Sequence, residues 1–261
     1  DYQHTEFENG DAGTVFSNEG FESRLELIQK PWAFFDHGVL GVQTKNSEFS
    51  ALGEEAVVPK TDIDSIGFFT VQDIHTEHLT YQLGLRVEQQ WMETALIKTS
   101  HTPVSFSASA LWSVTELDSI KLTFSRSQRA PDIQELFANG AHHGTHSFDI
   151  GDSKLRNETS HNIELGFHID QNWFQADINL FQNWVSDYIT PINSGQFYNI
   201  NTDNVINNCS VNDECLSIFN TQQHNATFQG FEAQITIPLI ETNYGNLESQ
   251  LFSDYVRGQF S

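Results

Sequence analysis

Apolar and polar residues alternate along most of this chain with a period of two. Leu79, Tyr81, Leu83, Leu85 and Val87 alternate with Thr80, Gln82, Gly84, Arg86 and Glu88. Val104, Phe106, Ala108, Ala110, Trp112 and Val114 alternate with Ser105, Ser107, Ser109, Ser113 and Thr115, and only Leu111 breaks the polar row. Ile163, Leu165, Phe167 and Ile169 do the same against Asn162, Glu164, Gly166 and His168. Successive side chains of a strand point to opposite faces, so each segment has one apolar and one polar face. The polar face must meet water. The apolar face must meet either a protein core or lipid, and no stretch of helical period rivals these segments.

The pattern predicts about ten strands, over 21–30, 37–48, 64–74, 78–92, 103–116, 118–128, 160–170, 172–189, 226–238 and 246–260. Tight turns such as 170–172 and 243–246 join several of them, and the polar segments 48–63, 129–159 and 190–225 join others. Short connections at one end and long ones at the other are the layout of an outer-membrane barrel. Loops longer than about 15 residues are usually functional. Trp32, Trp91, Trp112, Trp173 and Trp184 fall near strand ends, as aromatic belts at the two membrane interfaces would require. A soluble β-sandwich also alternates, but so many similarly patterned strands with little sign of closure weigh against it. The expected fold class is all-β, an antiparallel transmembrane β-barrel, with 1–261 as one partial barrel domain.

Composition changes this picture in three places. No run of about 18 apolar residues exists, which excludes a membrane-spanning helix and leaves barrel strands open. The net charge of −23, from 12 Lys and Arg against 35 Asp and Glu, argues against nucleic acid, whose binding needs a basic surface. Acidic loops suit solubility and the attraction of cations. Cys209 and Cys215 lie close together in a polar segment and read as a small disulfide formed in an oxidising compartment. A structural zinc pair would need a second Cys or His pair at ligand spacing, which is missing.

The stretch 124–137, Phe-Ser-Arg-Ser-Gln-Arg-Ala-Pro-Asp-Ile-Gln-Glu-Leu-Phe, is the most specific signal. It resembles the S-R-S-x-R-A-P-x-x-x-E-L segment of TonB-dependent outer-membrane receptors. The order continues through 138–144, 148–152 (Phe-Asp-Ile-Gly-Asp) and 160–166 (Ser-His-Asn-Ile-Glu-Leu-Gly), with further matches at 187–189, 230–232 and 254–257 and a rim-like segment at 51–59. The resemblance covers essentially the whole chain. It implies a Gram-negative outer-membrane barrel of about 22 strands filled by an N-terminal plug, and a TonB–ExbB–ExbD complex that drives transport through that plug. Neither the plug nor its TonB-contacting motif is found here. The chain opens on 1–7 as a strand or rim turn and stops within an alternating run, so it reads as a piece of a longer receptor. Such a piece should not fold or transport alone, because an open sheet leaves two unpaired edges in lipid. Arg126, Arg129 and Glu135 read as rim charges that hold loop to barrel.

Histidine usage points to cargo. His142, His143 and His146 cluster in one segment with Asp149 and Asp152 nearby. Imidazole with carboxylate is a transition-metal ligand set, and zinc is its commonest occupant. His75 and His78 with Glu77 between them form a second group, and Asp36-His37 a third. The 142–152 segment resembles the zinc-uptake branch of the receptor family, with Asp149 in place of that branch's Glu and His142 at the matching histidine. The expectation is an importer of a metal ion, zinc first, with no catalytic cofactor. The same receptor importing an iron–siderophore or other metal chelate is the alternative, and outer-membrane lipid or lipopolysaccharide is the surrounding partner. An adhesin or soluble binding module would also alternate, but the ordered segments oppose it. Ser153, His161 and Asp152 are the residue types of a hydrolytic triad, but no nucleophile-elbow pattern occurs, so no enzyme is expected.

Overall fold

The computed structural model describes residues 2–8, 11–53, 56–142, 145–211 and 213–260. The elements in order are β1 (Tyr2–Glu8), β2 (Asp11–Gln29), β3 (His37–Gly53), β4 (Thr61–His75), β5 (Leu79–Thr94), β6 (Lys98–His101), β7 (Val104–Ser113), β8 (Ser119–Arg129), α1 (Ile133–Phe137), β9 (Asn139–His142), β10 (Ser147–Ile150), β11 (Glu158–Gln171), β12 (Phe174–Asn199), β13 (Asn204–Ile206), β14 (Cys215–Thr242) and β15 (Gly245–Phe260). All strands join one 15-stranded sheet. The long strands are antiparallel neighbours in chain order, from β2 through β5, β7, β8, β11, β12 and β14 to β15. They are the strands that the alternation predicts.

Register shows why alternation specifies this sheet. Tyr81, Ala110, Leu122, Leu165, Leu180, Phe231 and Tyr255 are successive cross-strand partners from β5 to β15. This row lies on one face, and its large members are largely exposed, Leu122 by 52% and Tyr255 by 54%. A row of exposed apolar side chains this long has no protein core to cover it and is the face a bilayer would cover. The opposite face carries the row Lys121, Gly166, Asn179, Glu232 and Asp254. Leu111, the residue that breaks the polar row of β7, stands next to Lys121 on this inner face.

The two levels of Trp fit the same bilayer. Trp112 pairs with Leu79 at the base of β5, and Trp91 projects outward near its top. About 12 residues separate the two, which at about 3.3 Å per residue and a tilt near 45° gives roughly 28 Å, close to a hydrocarbon core. Trp32 and Trp173 lie at the short-turn end with Trp112, and Trp184 matches Trp91 near the opposite end. Among the described residues, no helix is long and apolar enough to cross a membrane.

The segment 190–225, expected to be a loop, is mostly strand. β12 and β14 run on together past the barrel wall, pairing from Tyr188 opposite His224 to Asn199 opposite Cys215. A bulge between Val185 and Tyr188, with Asp187 at a φ of 57°, interrupts the period there. A bulge re-aims the side chains that follow, and Pro191 and Gly195 read locally as breakers. The disulfide Cys209–Cys215 forms at the end of this hairpin, with an S–S distance of 2.06 Å. The segment 129–159 holds α1 and the β9–β10 hairpin in place of a plain loop.

Candidate functional site

The 130–157 segment folds back over the inner wall at the long-loop end. Arg129, the last residue of β8, starts it. Its guanidinium donates to both carboxylate oxygens of Glu135, Nη1 to Oε2 at 2.7 Å and Nη2 to Oε1 at 3.0 Å, and to Glu158 Oε2 at 3.1 Å. Glu158 Oε2 also accepts from the Ile189 N–H at 2.9 Å, which ties the cluster to β12. Asp132 and Glu135 form a capping box on α1, each carboxylate accepting the other residue's backbone N–H, a device that stabilises a short helix start. Arg129 and Glu135 therefore do hold loop to barrel. Arg126 acts elsewhere, donating to the Val104 carbonyl at 3.0 Å.

Apolar packing fixes the other side of α1. Leu136 and Phe137 are buried in a cluster with Val57, Val58, Met92, Leu155 and Ile189. Gly151 lets the chain cross tightly behind the helix, because a Cβ there would lie 2.7 Å from the Leu136 carbonyl carbon and 2.8 Å from the Glu135 oxygen. The β9–β10 hairpin then docks on β14 in parallel register, Ser147 opposite Ser217 through Ile150 opposite Asn220.

Between this docked segment and the wall lies a cavity of about 520 Å³. The segment side supplies Asp132, Glu135, His142, Thr145, Ser147 and Asp149, and the wall supplies Ile189, Thr190, Pro191, Phe219 and Thr221. Among the described residues, no Lys or Arg lines it. His142 ends β9, with Nδ1 2.8 Å from Thr145 Oγ1. Nδ1 also accepts from the Thr145 N–H at 3.2 Å, so its lone pair is engaged within the turn and the neutral ring carries its proton on Nε2. Asp149 faces the same space from β10, opposite Gly140.

The structure thus brings His142 and Asp149 to one cavity. His146 sits outside it, exposed, at a φ of 52° in the turn before β10. Asp152 also lies outside it, its Oδ1 accepting from the Lys154 N–H at 2.9 Å. His143 lies outside the described residues. Among the described residues, no three His, Cys, Asp or Glu side chains stand ready around one point to hold an ion. The sequence marks Glu135 as a rim charge and does not single out Asp132, and neither was expected in a cavity wall. Thr190, Phe219 and Thr221 carry no local signal at all, since only the hairpin extension places them.

His101, on β6 opposite Gln90 and beside Trp91, belongs to the same end. Its Nδ1 lies 3.1 Å from Asn157 Oδ1, and burial lowers its pKa against a smaller raising effect of that contact. The inner wall below carries paired charge. Arg24 stacks 4.3 Å above the Phe69 ring, Arg86 donates to Gln43 at 3.1 Å and pairs with Glu88, and His168 pairs with Asp177 at 2.7 Å.

An open antiparallel sheet with an outward apolar face, two Trp levels and long connections at one end defines the wall of an outer-membrane β-barrel. The chain belongs to the family described as TonB dependent receptor-like, beta-barrel, whose model matches residues 2–258. Solved structures of similar fold include the copper transporter OprC, at 16% identity and a TM-score of 0.73, covering 94% of this chain and 38% of that one. The FrpB iron transporter from Neisseria meningitidis, in its F5-1 apoprotein form, is 14% identical with a TM-score of 0.65, covering 97% of this chain and 38% of that one. The siderophore receptor PirA from Pseudomonas aeruginosa is 14% identical with a TM-score of 0.57, covering 95% and 53%. The chain therefore spans 38% to 53% of the length of these proteins.

Proposed function

We propose that this chain forms part of the wall and one capture site of an outer-membrane receptor that imports a transition metal, zinc first, in a TonB–ExbB–ExbD-driven cycle acting through a plug domain. Its work is transport, not catalysis. The observation that carries the reading is the convergence of His142 and Asp149 on a mouth cavity whose described lining residues include no Lys or Arg. An imidazole and a carboxylate make a borderline ligand pair suited to Zn²⁺, and an incomplete shell lets the ion move on. The names of OprC and FrpB, a copper and an iron transporter, support metal cargo without choosing among metals.

A second reading has its own observation. A volume of about 520 Å³ lies in the range of small-molecule sites, roughly 300–1,000 Å³, and Val57, Ile189 and Phe219 give it an apolar wall. A metal carried by an organic chelator would use that space. Titration calorimetry on the full-length receptor, with zinc against copper, iron and manganese, separates the two. Micromolar or tighter zinc binding, weakened at least tenfold by His142→Ala with Asp149→Ala, supports bare-ion capture. Zinc binding untouched by that double substitution overturns this site, and no binding of any bare ion moves the cargo to a chelate.

A further inference from the structure

At the short-turn end, the fold joins two histidine groups that lie far apart in sequence. His37 opens β3 directly opposite Asp73, and His75, two residues further along β4, lies diagonal to it. Residues opposite or diagonal across an antiparallel pair share a face and reach one another. This face is the inner one, for Phe69, opposite Gly41 and six residues in from His75, lies under Arg24 on the side away from exposed Phe68. The His37 and His75 rings are 6.2 Å apart, centroid to centroid, edge to face. Asp36 joins them. Its N–H donates to the Asp73 carbonyl at 3.0 Å, its Oδ2 accepts from the His75 N–H at 2.6 Å, and the same oxygen lies 3.6 Å from His75 Nδ1. Glu77 and His78 follow in the adjoining turn, 4.0 Å apart.

From this juxtaposition we infer a second metal site, at the periplasmic end of the inner wall, in which His37, His75 and Asp36 take a divalent first-row transition-metal ion. Two imidazoles on one ion at about 2.1 Å from each nitrogen have centroids roughly 5–6 Å apart, so small side-chain rotations from the present 6.2 Å suffice. The three are not preformed around one point; the His75 and Asp36 side chains, 47% and 45% exposed, have room to rotate, with Asp36 Oδ1 the oxygen to offer while Oδ2 stays on the His75 N–H. Two nitrogens and one oxygen leave positions for water. Such a shell binds moderately and releases readily, as a point where an ion leaves the barrel requires. The site is at the opposite end of the strands from the mouth cavity and is independent of the capture reading above.

The test uses the full-length receptor in detergent with His142→Ala and Asp149→Ala already present, so that the mouth pair is silent. Cu²⁺ is the probe, read by electron paramagnetic resonance and by stoichiometry. One equivalent with two coupled nitrogens, lost on adding His37→Gln and His75→Gln, is expected. Asp36→Asn should keep the nitrogen pattern and weaken binding about tenfold. If the paired variant fails to assemble, His75→Gln alone should remove one of the two couplings. An unchanged Cu²⁺ count and spectrum in the paired variant, or in His75→Gln where that is used, overturns the site and leaves Asp36–His75 as an ordinary ion pair. Loss of binding from the mouth substitutions bears only on the capture reading.

Discussion

His101 shows what a single side chain contributes at the extracellular end. Its neutral ring is satisfied at both nitrogens, with Asn157 Oδ1 at 3.1 Å from Nδ1 and Thr99 Oγ1 at 3.4 Å from Nε2. Burial lowers its pKa in the fold, so the folded state binds fewer protons than the unfolded one as pH falls through about 6.5. Its support for the fold is complete above that pH and declines below it. The protection of 152–157 against hydrogen exchange, taken relative to the intrinsic rate at each pH, should therefore fall between pH 7 and pH 5, and His101→Gln should remove that fall. Equal pH responses in the two proteins would show that the residue does not carry the effect.

The next scale is the docked segment, α1 with the β9–β10 hairpin. Its two attachments differ in kind. The α1 end combines the Arg129–Glu135–Glu158 cluster with buried Leu136 and Phe137, whereas the hairpin holds by a four-residue parallel ladder and the Phe148–Tyr198 ring contact at 4.2 Å. Replacing Arg129 by Ala leaves two mostly covered carboxylates without their partner, and should cost about 1–3 kcal/mol locally. Limited proteolysis should then cut within 130–157 several-fold faster while the barrel keeps its heat-modifiable mobility in gels. Lost mobility would instead place Arg129 in barrel assembly. The rim charges Arg129 and Glu135 of this element were legible from the residue order of 124–137; the helix and its capping box were not read there. The cavity was not, because its far wall comes from residues some 40 to 80 positions later in the chain, brought near by pairing.

For the whole molecule, the two faces of the sheet should respond oppositely to charge. Leu122 and Thr123 are adjacent on β8 but face lipid and lumen. Leu122→Arg should lower barrel stability in vesicles by about 1–3 kcal/mol, as for a cation on the lipid face between the interface and the bilayer midplane, and Thr123→Arg should change it by less than about 1 kcal/mol. Urea unfolding of the full receptor reads both, and equal effects would contradict the assigned faces.

Period-two alternation by itself determined the class of fold, the long strands, and which residues face lipid, because side-chain direction along a strand is a local property. Residue order in 124–166 determined the family, and the spacing of Cys209 and Cys215 foretold their disulfide. Tertiary structure alone decided that 190–225 continues as a hairpin, since the bulge at 185–188 and the breakers Pro191 and Gly195 mask its strands locally. It alone separated His142 and Asp149 from His146 and Asp152, because a turn and a register set where those side chains point. It also brought Asp36 and His37 to His75, as cross-strand neighbours are chosen by pairing and not by distance along the chain.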